Sequence, residues 1–201
     1  MNTGLLIVVS GPSGAGKGTV CKELLCQNPA ITYSISATTR PMRPGEVNGQ
    51  SYHFVSVTEF EAMIQNDELL EWAQVYGNYY GTPLQKIRET LQKGTDVLLE
   101  IDTQGARKVM QQFPKGVFIF LLPPSLKELK RRLKGRGTES DETLQRRLAA
   151  ARAEIQIGET YRYVVVNDKP EIAAQKMQAI LQAERCRTDR NQDTFLQVEQ
   201  S

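Results

Sequence analysis

Apolar residues gather in this chain in two ways, as short strand-like runs and as repeats at helical spacing. Runs of strand length lie at 5–10, 95–101, 117–122 and 163–166. The first is an unbroken apolar run, so both of its faces must be covered, and the recurrence of such runs between helical segments calls for a parallel sheet. Between them Leu84, Ile87 and Leu91 share one helical face, and so do Leu144, Leu148, Ala151 and Ile155. These stripes are read as core packing. Thr58-x-x-Glu61, Thr82-x-x-Gln85 and Ser125-x-x-Glu128 match the capping box, Pro83 and Pro170 suit first-turn positions, and Gly94 suits a helix stop. The repeated β–α alternation predicts an α/β fold, a parallel sheet flanked by helices.

Two stretches interrupt the alternation. Residues 31–82 are too long for a plain connection and hold short strand candidates at 33–36 and 52–55; residues 125–159 are helical and basic near their middle. The chain thus divides into a core of about 1–33, 83–124 and 160–186, insertions of about 34–82 and 125–159, and a polar, nearly featureless tail over 187–201. Ligands of such sheets bind beyond the strands' carboxyl ends, where both insertions are placed to cover them. The length suits a single domain with a proper core.

Composition narrows the partners. Lysines and arginines number 25 against 23 acids, a net +2, and that balance gives no reason to expect nucleic acid or a membrane. The apolar runs are far short of a membrane span, and the first of them is too short for a signal peptide. Cys21, Cys26 and Cys186 cannot pair completely and show no zinc spacing, which predicts a reduced, cytoplasmic setting. Whether the chain forms a homo-oligomer is left open.

The chemistry begins where the first run ends, at Gly11-Pro12-Ser13-Gly14-Ala15-Gly16-Lys17-Gly18-Thr19. A buried strand empties into a glycine-rich turn that opens a helix, with Val20, Leu24 and Leu25 at apolar spacing. Glycines let backbone N–H groups close on anionic oxygens, the helix N-terminus adds partial positive charge, and Lys17 adds a full one. This is a cradle for a nucleoside triphosphate. The strict pattern has Ser or Thr after the lysine; here that position is Gly18, with Thr19 one step later.

The acceptor is written in other motifs. Ser36-Ala37-Thr38-Thr39-Arg40-Pro41-Met42-Arg43-Pro44-Gly45-Glu46 sets two arginines three apart on a proline-stiffened segment. Gly49-Gln50-Ser51-Tyr52-His53-Phe54, Leu70-Glu71-Trp72-Ala73 and Gly77-Asn78-Tyr79-Tyr80-Gly81-Thr82 follow. With Glu100-Ile101-Asp102-x-Gln104-Gly105 and Gly135-Arg136-Gly137-Thr138-Glu139, these strings closely resemble guanylate kinase, in the family's order and over nearly the whole chain.

The resemblance implies transfer of the γ-phosphate of ATP to GMP, and to dGMP, with Mg2+. It implies that Glu71 and Asp102 read guanine, with the hydroxyls of Ser36 and Thr82 serving O6. Guanine offers N–H donors at N1 and N2, whereas adenine has a lone pair at N1, so carboxylates there would reject adenine by several kcal/mol, on the order of a buried unpaired charge. Arg40, Arg43, Tyr52 and Tyr80 match the clamp on the GMP phosphate, a task suited to guanidinium forks. Gly11 to Thr19, Arg132, Arg136 and Asn167 match the ATP site, and Lys17, Arg40, Arg136 and Arg147 would act on the transferring group. Thr19 and Glu100 are candidates to position Mg2+ directly or through water; the family often has Asp where this chain has Glu100. Tyr79 and His53 are given no role. A kinase for another nucleotide or a phosphosugar, and a non-catalytic binding module on the same fold, are the rival readings. The paired acids argue against the first and the complete phosphate loop against the second.

Overall fold

A computed structural model describes residues 3–75, 77–134 and 141–199. The core sheet has five parallel strands: β1 (Leu6–Ser10), β2 (Thr32–Tyr33), β7 (Val97–Glu100), β8 (Val117–Leu122) and β9 (Tyr163–Val166), in the order β2-β7-β1-β8-β9. β1 lies centrally and all five of its residues are buried. Its side chains alternate between two cores. Ile7 and Val9 meet Val20 and Leu24 of α1 (Lys17–Gln27) and Ala173, Ala174 and Met177 of α7 (Pro170–Arg185). Leu6 and Val8 meet Ile87 and Leu91 of α3 (Leu84–Gln92) and Ala106 and Val109 of α4 (Thr103–Gln112) on the other face. The predicted helical stripe at 84, 87 and 91 is therefore a packing stripe, and Pro170 opens α7 as expected.

Between β2 and β7 a second sheet forms, in the order β4-β3-β6-β5, from β3 (Ala37–Thr38), β4 (His53–Phe54), β5 (Leu69–Val75) and β6 (Asn78–Pro83), with α2 (Val57–Gln65) beside it. The strand expected at 33–36 is in fact two. The chain leaves the edge of the core sheet after Tyr33 and enters the second sheet at Ala37. The hairpin β5–β6 was not foreseen. Its register shifts between Leu69 and Glu71, and this bulge breaks the alternation by which a strand is recognised.

The helix starts also differ. α2 is capped by Ser56 with Glu59, two residues before the predicted pair. Thr82 caps nothing: α3 begins after Pro83, and the Thr82 hydroxyl donates to Glu71 instead. Ser125 accepts from the Glu128 N–H as predicted, while the Glu128 carboxylate turns to Arg131 and Arg132. α5 (Leu126–Lys134) and α6 (Asp141–Ile157) pack on each other through Leu129, Leu133, Leu144 and Ala151, with Leu148 partly buried against them. The tail is less featureless than expected, since α8 spans Gln192–Glu199. All three cysteines are unpaired, and no described helix is long and apolar enough to cross a membrane.

Candidate active site

The loop after β1 curls around its own lysine. Gly11, Gly14 and Gly16 take φ of 153°, 88° and 87°, a region that side chains rarely enter. A Cβ on Gly16 would also stand 2.5 Å from Asn167 Nδ2, so the turn closes only with glycine there. Lys17 opens α1 and sends its ammonium back over the loop, donating to the Gly11 carbonyl at 2.7 Å. Burial pulls its pKa below the ordinary lysine value, against the pull of Glu100, Glu154 and Asp102. Asn167, just past β9, anchors the loop by donating from Nδ2 to the Ala15 carbonyl at 2.7 Å; its Oδ1 is buried and finds no partner among the described residues.

Across the second sheet, register alone aligns three of the predicted base readers. β3 pairs Ala37 with Gly81, and one further step brings Ser36 opposite Thr82; β5 then pairs Glu71 with Thr82. Directly opposed residues share a face, so Ser36, Thr82 and Glu71 form one polar row. Glu71 is 5% exposed and accepts from Thr82 Oγ1 at 2.5 Å. Burial pushes its carboxyl up to about 7, helped by Asp102 and opposed by Thr82 and Lys108. Asp102 is fixed as the N-cap of α4, its Oδ1 accepting from the N–H groups of Gln104 and Gly105.

Beside the row stands a cationic clamp. Arg40 lies over the Tyr52 ring, 5.3 Å from its centroid, and over the Phe54 ring at 5.6 Å; the rings of Tyr52 and Tyr80 meet edge to face. Both terminal nitrogens of Arg40 reach Glu46, at 3.0 and 2.7 Å. Arg43 adds only its backbone N–H to Glu46, and its residue is exposed, so the clamp forms around one arginine. Tyr79 stacks on Phe60 and meets Trp72 edge to face, a packing aromatic as read.

The helices α5 and α6 supply the remaining cations. Arg132 donates to the carbonyls of Ala15 and Asn167 and to Glu128, which ties α5 to the loop. Arg147 donates to Ser13 Oγ at 2.8 Å. Arg136 lies outside the described residues. Two turns along α6 from Arg147 stands the half-buried Glu154; burial pushes its carboxyl pKa up, against the pull of Lys17 and of the Ser13 backbone amide.

A family profile described as Guanylate kinase matches residues 3–184. The chain belongs to the guanylate kinase family. The guanylate kinase of Desulfitobacterium hafniense (strain Y51) is 55% identical over 194 residues, 96% of this chain and 97% of its own. That of Caldanaerobacter subterraneus subsp. tengcongensis is 54% identical over 195 residues, 97% of this chain and 95% of its own. The crystal structure of guanylate kinase from Anaplasma phagocytophilum shares the fold with a TM-score of 0.79 at 39% identity, covering 94% of this chain and 90% of that one.

In this member of the family the departure at Gly18 has a structural correlate. A Cβ on Gly18 would lie 3.5 Å from Glu100 Oε2, so position 18 is the one that faces the carboxylate. Thr19 is exposed and, on a helix, points about 100° further round. No group of three His, Cys, Asp or Glu side chains that could hold a metal occurs among the described residues. An ion such as Mg2+, which keeps several waters and takes phosphate oxygens, fits a site with one carboxylate beside a phosphate cradle. Four residues escaped the sequence: Tyr33, whose hydroxyl reaches Glu100 at 3.4 Å, Glu46, Glu154 and Lys108. Only Glu154 left a signal, seven residues after Arg147 on a helix already predicted.

Proposed function

We propose that in the ATP-dependent phosphorylation of GMP to GDP, the activity that gives this family its name, the loop and the polar row divide the work. The loop amides from Gly11 to Thr19 and Lys17 hold the β- and γ-phosphates. Asn167 offers its unpaired Oδ1 to the adenine amino group. Glu71 and Asp102 accept from N1 and N2 of guanine while Ser36 and Thr82 serve O6. Arg40, with Tyr52, Tyr80 and Arg43, takes the GMP phosphate. The acceptor is already an ionised oxygen, so no side chain has to remove a proton; the protein aligns donor and acceptor and spreads charge on the moving group. Arg132, Arg136 and Arg147 complete that shell and exclude water. Thr19 and Glu100, directly or through water, would hold Mg2+ bound with ATP, and the ion would supply neutralisation of the phosphate charge. The enzyme works in the cytoplasm.

The observation that supports this best is the row itself, a buried carboxyl and two hydroxyls lined up by strand register beside a capped aspartate. A coupled assay of ADP release with GMP, AMP, CMP and UMP, run with and without Mg2+, tests it. GMP should be turned over far faster than the others and only with the metal. Comparable rates with AMP would refute the base-reading roles.

A further inference from the structure

β5 is the edge strand of its sheet, so one side of its backbone has no strand partner. Around Glu71 that side is not left to water. The Glu71 carbonyl turns inward to β6, where a Cβ on Gly81 would approach it to 3.0 Å. The two flanking carbonyls are taken by side chains of α4: Gln112 Nε2 donates to Leu70 O at 3.0 Å, and Lys108 Nζ donates to Trp72 O at 2.5 Å. The Lys108 ammonium also sits 4.8 Å from the centroid of the Trp72 ring. On the same helix face, three residues before Lys108, Gly105 leaves room for the carboxylate itself, since a Cβ there would stand 2.5 Å from Glu71 Oε2. Asp102 is the N-cap of this very helix.

One helix therefore carries one acid at its tip and braces the other along its side. The bulge at Leu70 gives the brace its purpose, because a bulge bends its strand, increases the local twist and interrupts the ladder to β6. We propose that Lys108 and Gln112 are positioning residues for Glu71, fastening the edge of β5 on both sides of it so that its carboxylate keeps its place relative to Asp102. This rests on Glu71 reading guanine. Lys108 has a second effect, through charge. The polar and charged groups facing Glu71 are Thr82 from β6 and Asp102 and Lys108 from α4, and Lys108 is the cation among them.

The test uses the full chain and the variants Lys108→Met, Lys108→Arg, Gln112→Leu and Glu71→Gln, with steady-state kinetics from about pH 6 to 9. Both α4 side chains are exposed, so the core is untouched. Lys108→Met should raise KM for GMP about 5- to 10-fold, the scale of one net hydrogen bond at an exposed site, with kcat and KM for ATP within about twofold. It should also move the acidic limb of 1/KM for GMP to higher pH. Lys108→Arg should restore both. Gln112→Leu should raise KM for GMP without moving the limb, because it removes no charge. In the Glu71→Gln background, Lys108→Met should change KM for GMP by less than about twofold. The proposal is overturned if Lys108→Met leaves KM and the limb in place, or if its effect is as large without the Glu71 carboxylate. Should Glu71→Gln itself leave KM for GMP unchanged, the guanine reading falls first and the brace with it. If Glu71→Gln raises KM for GMP while Lys108→Met does not, the brace falls and the guanine reading stands.

Discussion

Replacing Glu71 by Gln should make this protein more stable and less useful. The carboxyl is 5% exposed and its pKa is pushed from 4.5 up to about 7. Between those values the folded chain holds a proton that the unfolded chain has released, so stability is greatest at low pH and falls as pH rises toward 7. Integrating that difference gives a penalty below about 1 kcal/mol at pH 5 and about 3 kcal/mol at pH 8. Gln keeps the shape and the acceptor for Thr82 Oγ1 but carries no charge. Urea unfolding of the variant at pH 8 should therefore show a gain of about 2–3 kcal/mol, or roughly 5–10 °C in Tm for a domain of this size. At pH 5 the gain should be under about 1 kcal/mol. Activity should move the other way: a carboxamide sets a donor against the guanine N–H groups, and kcat/KM for GMP should fall at least about a hundredfold. Equal stability at pH 8, or a difference that does not shrink toward pH 5, would refute the buried-carboxyl reasoning.

Three further outcomes follow from contacts at the loop and between α5 and α6. Lys17→Met should abolish turnover while GMP still binds, read from the fluorescence of Trp72, the single tryptophan, next to Glu71. Glu154→Gln removes an anion from the neighbourhood of Lys17 and the Ser13 amide, so KM for ATP should drop about 3- to 10-fold, the scale of one net hydrogen bond; a rise would show that Glu154 supports the loop. Leu133→Ala empties a site packed against Leu129, Leu144 and Ala151 and should cost about 2–5 kcal/mol in chemical unfolding.

What could be read in advance was what the chain decides locally. β8 falls at 117–122 as expected, because an unbroken apolar run between turn residues has few other fates. The glycine turn between β1 and α1 is equally local, since its positive φ values need glycine whatever surrounds it. The polar row of Ser36, Thr82 and Glu71 is not local. It depends on the register of β3, β6 and β5, strands separated by about 30 residues and by a bulge, and only the resemblance to known enzymes pointed to it. Thr82 shows why: by itself Thr82-x-x-Gln85 is a good helix cap, yet the hydroxyl goes to a buried carboxyl eleven residues back. A desolvated acid has more to lose than a solvent-exposed helix end. Arg40 stands out in the sequence by its neighbours, but its partner Glu46 comes within reach through a turn at Gly45, with φ 85°, that no spacing rule supplies.

Selection of the purine by two carboxylates held in step by one helix is best tested by a crystal structure with GMP and a non-hydrolysable ATP analogue. Guanine N1 and N2 should lie about 2.7–3.1 Å from carboxylate oxygens of Glu71 and Asp102, with O6 toward Ser36 and Thr82. A base bound elsewhere, with Glu71 turned to solvent, would contradict it.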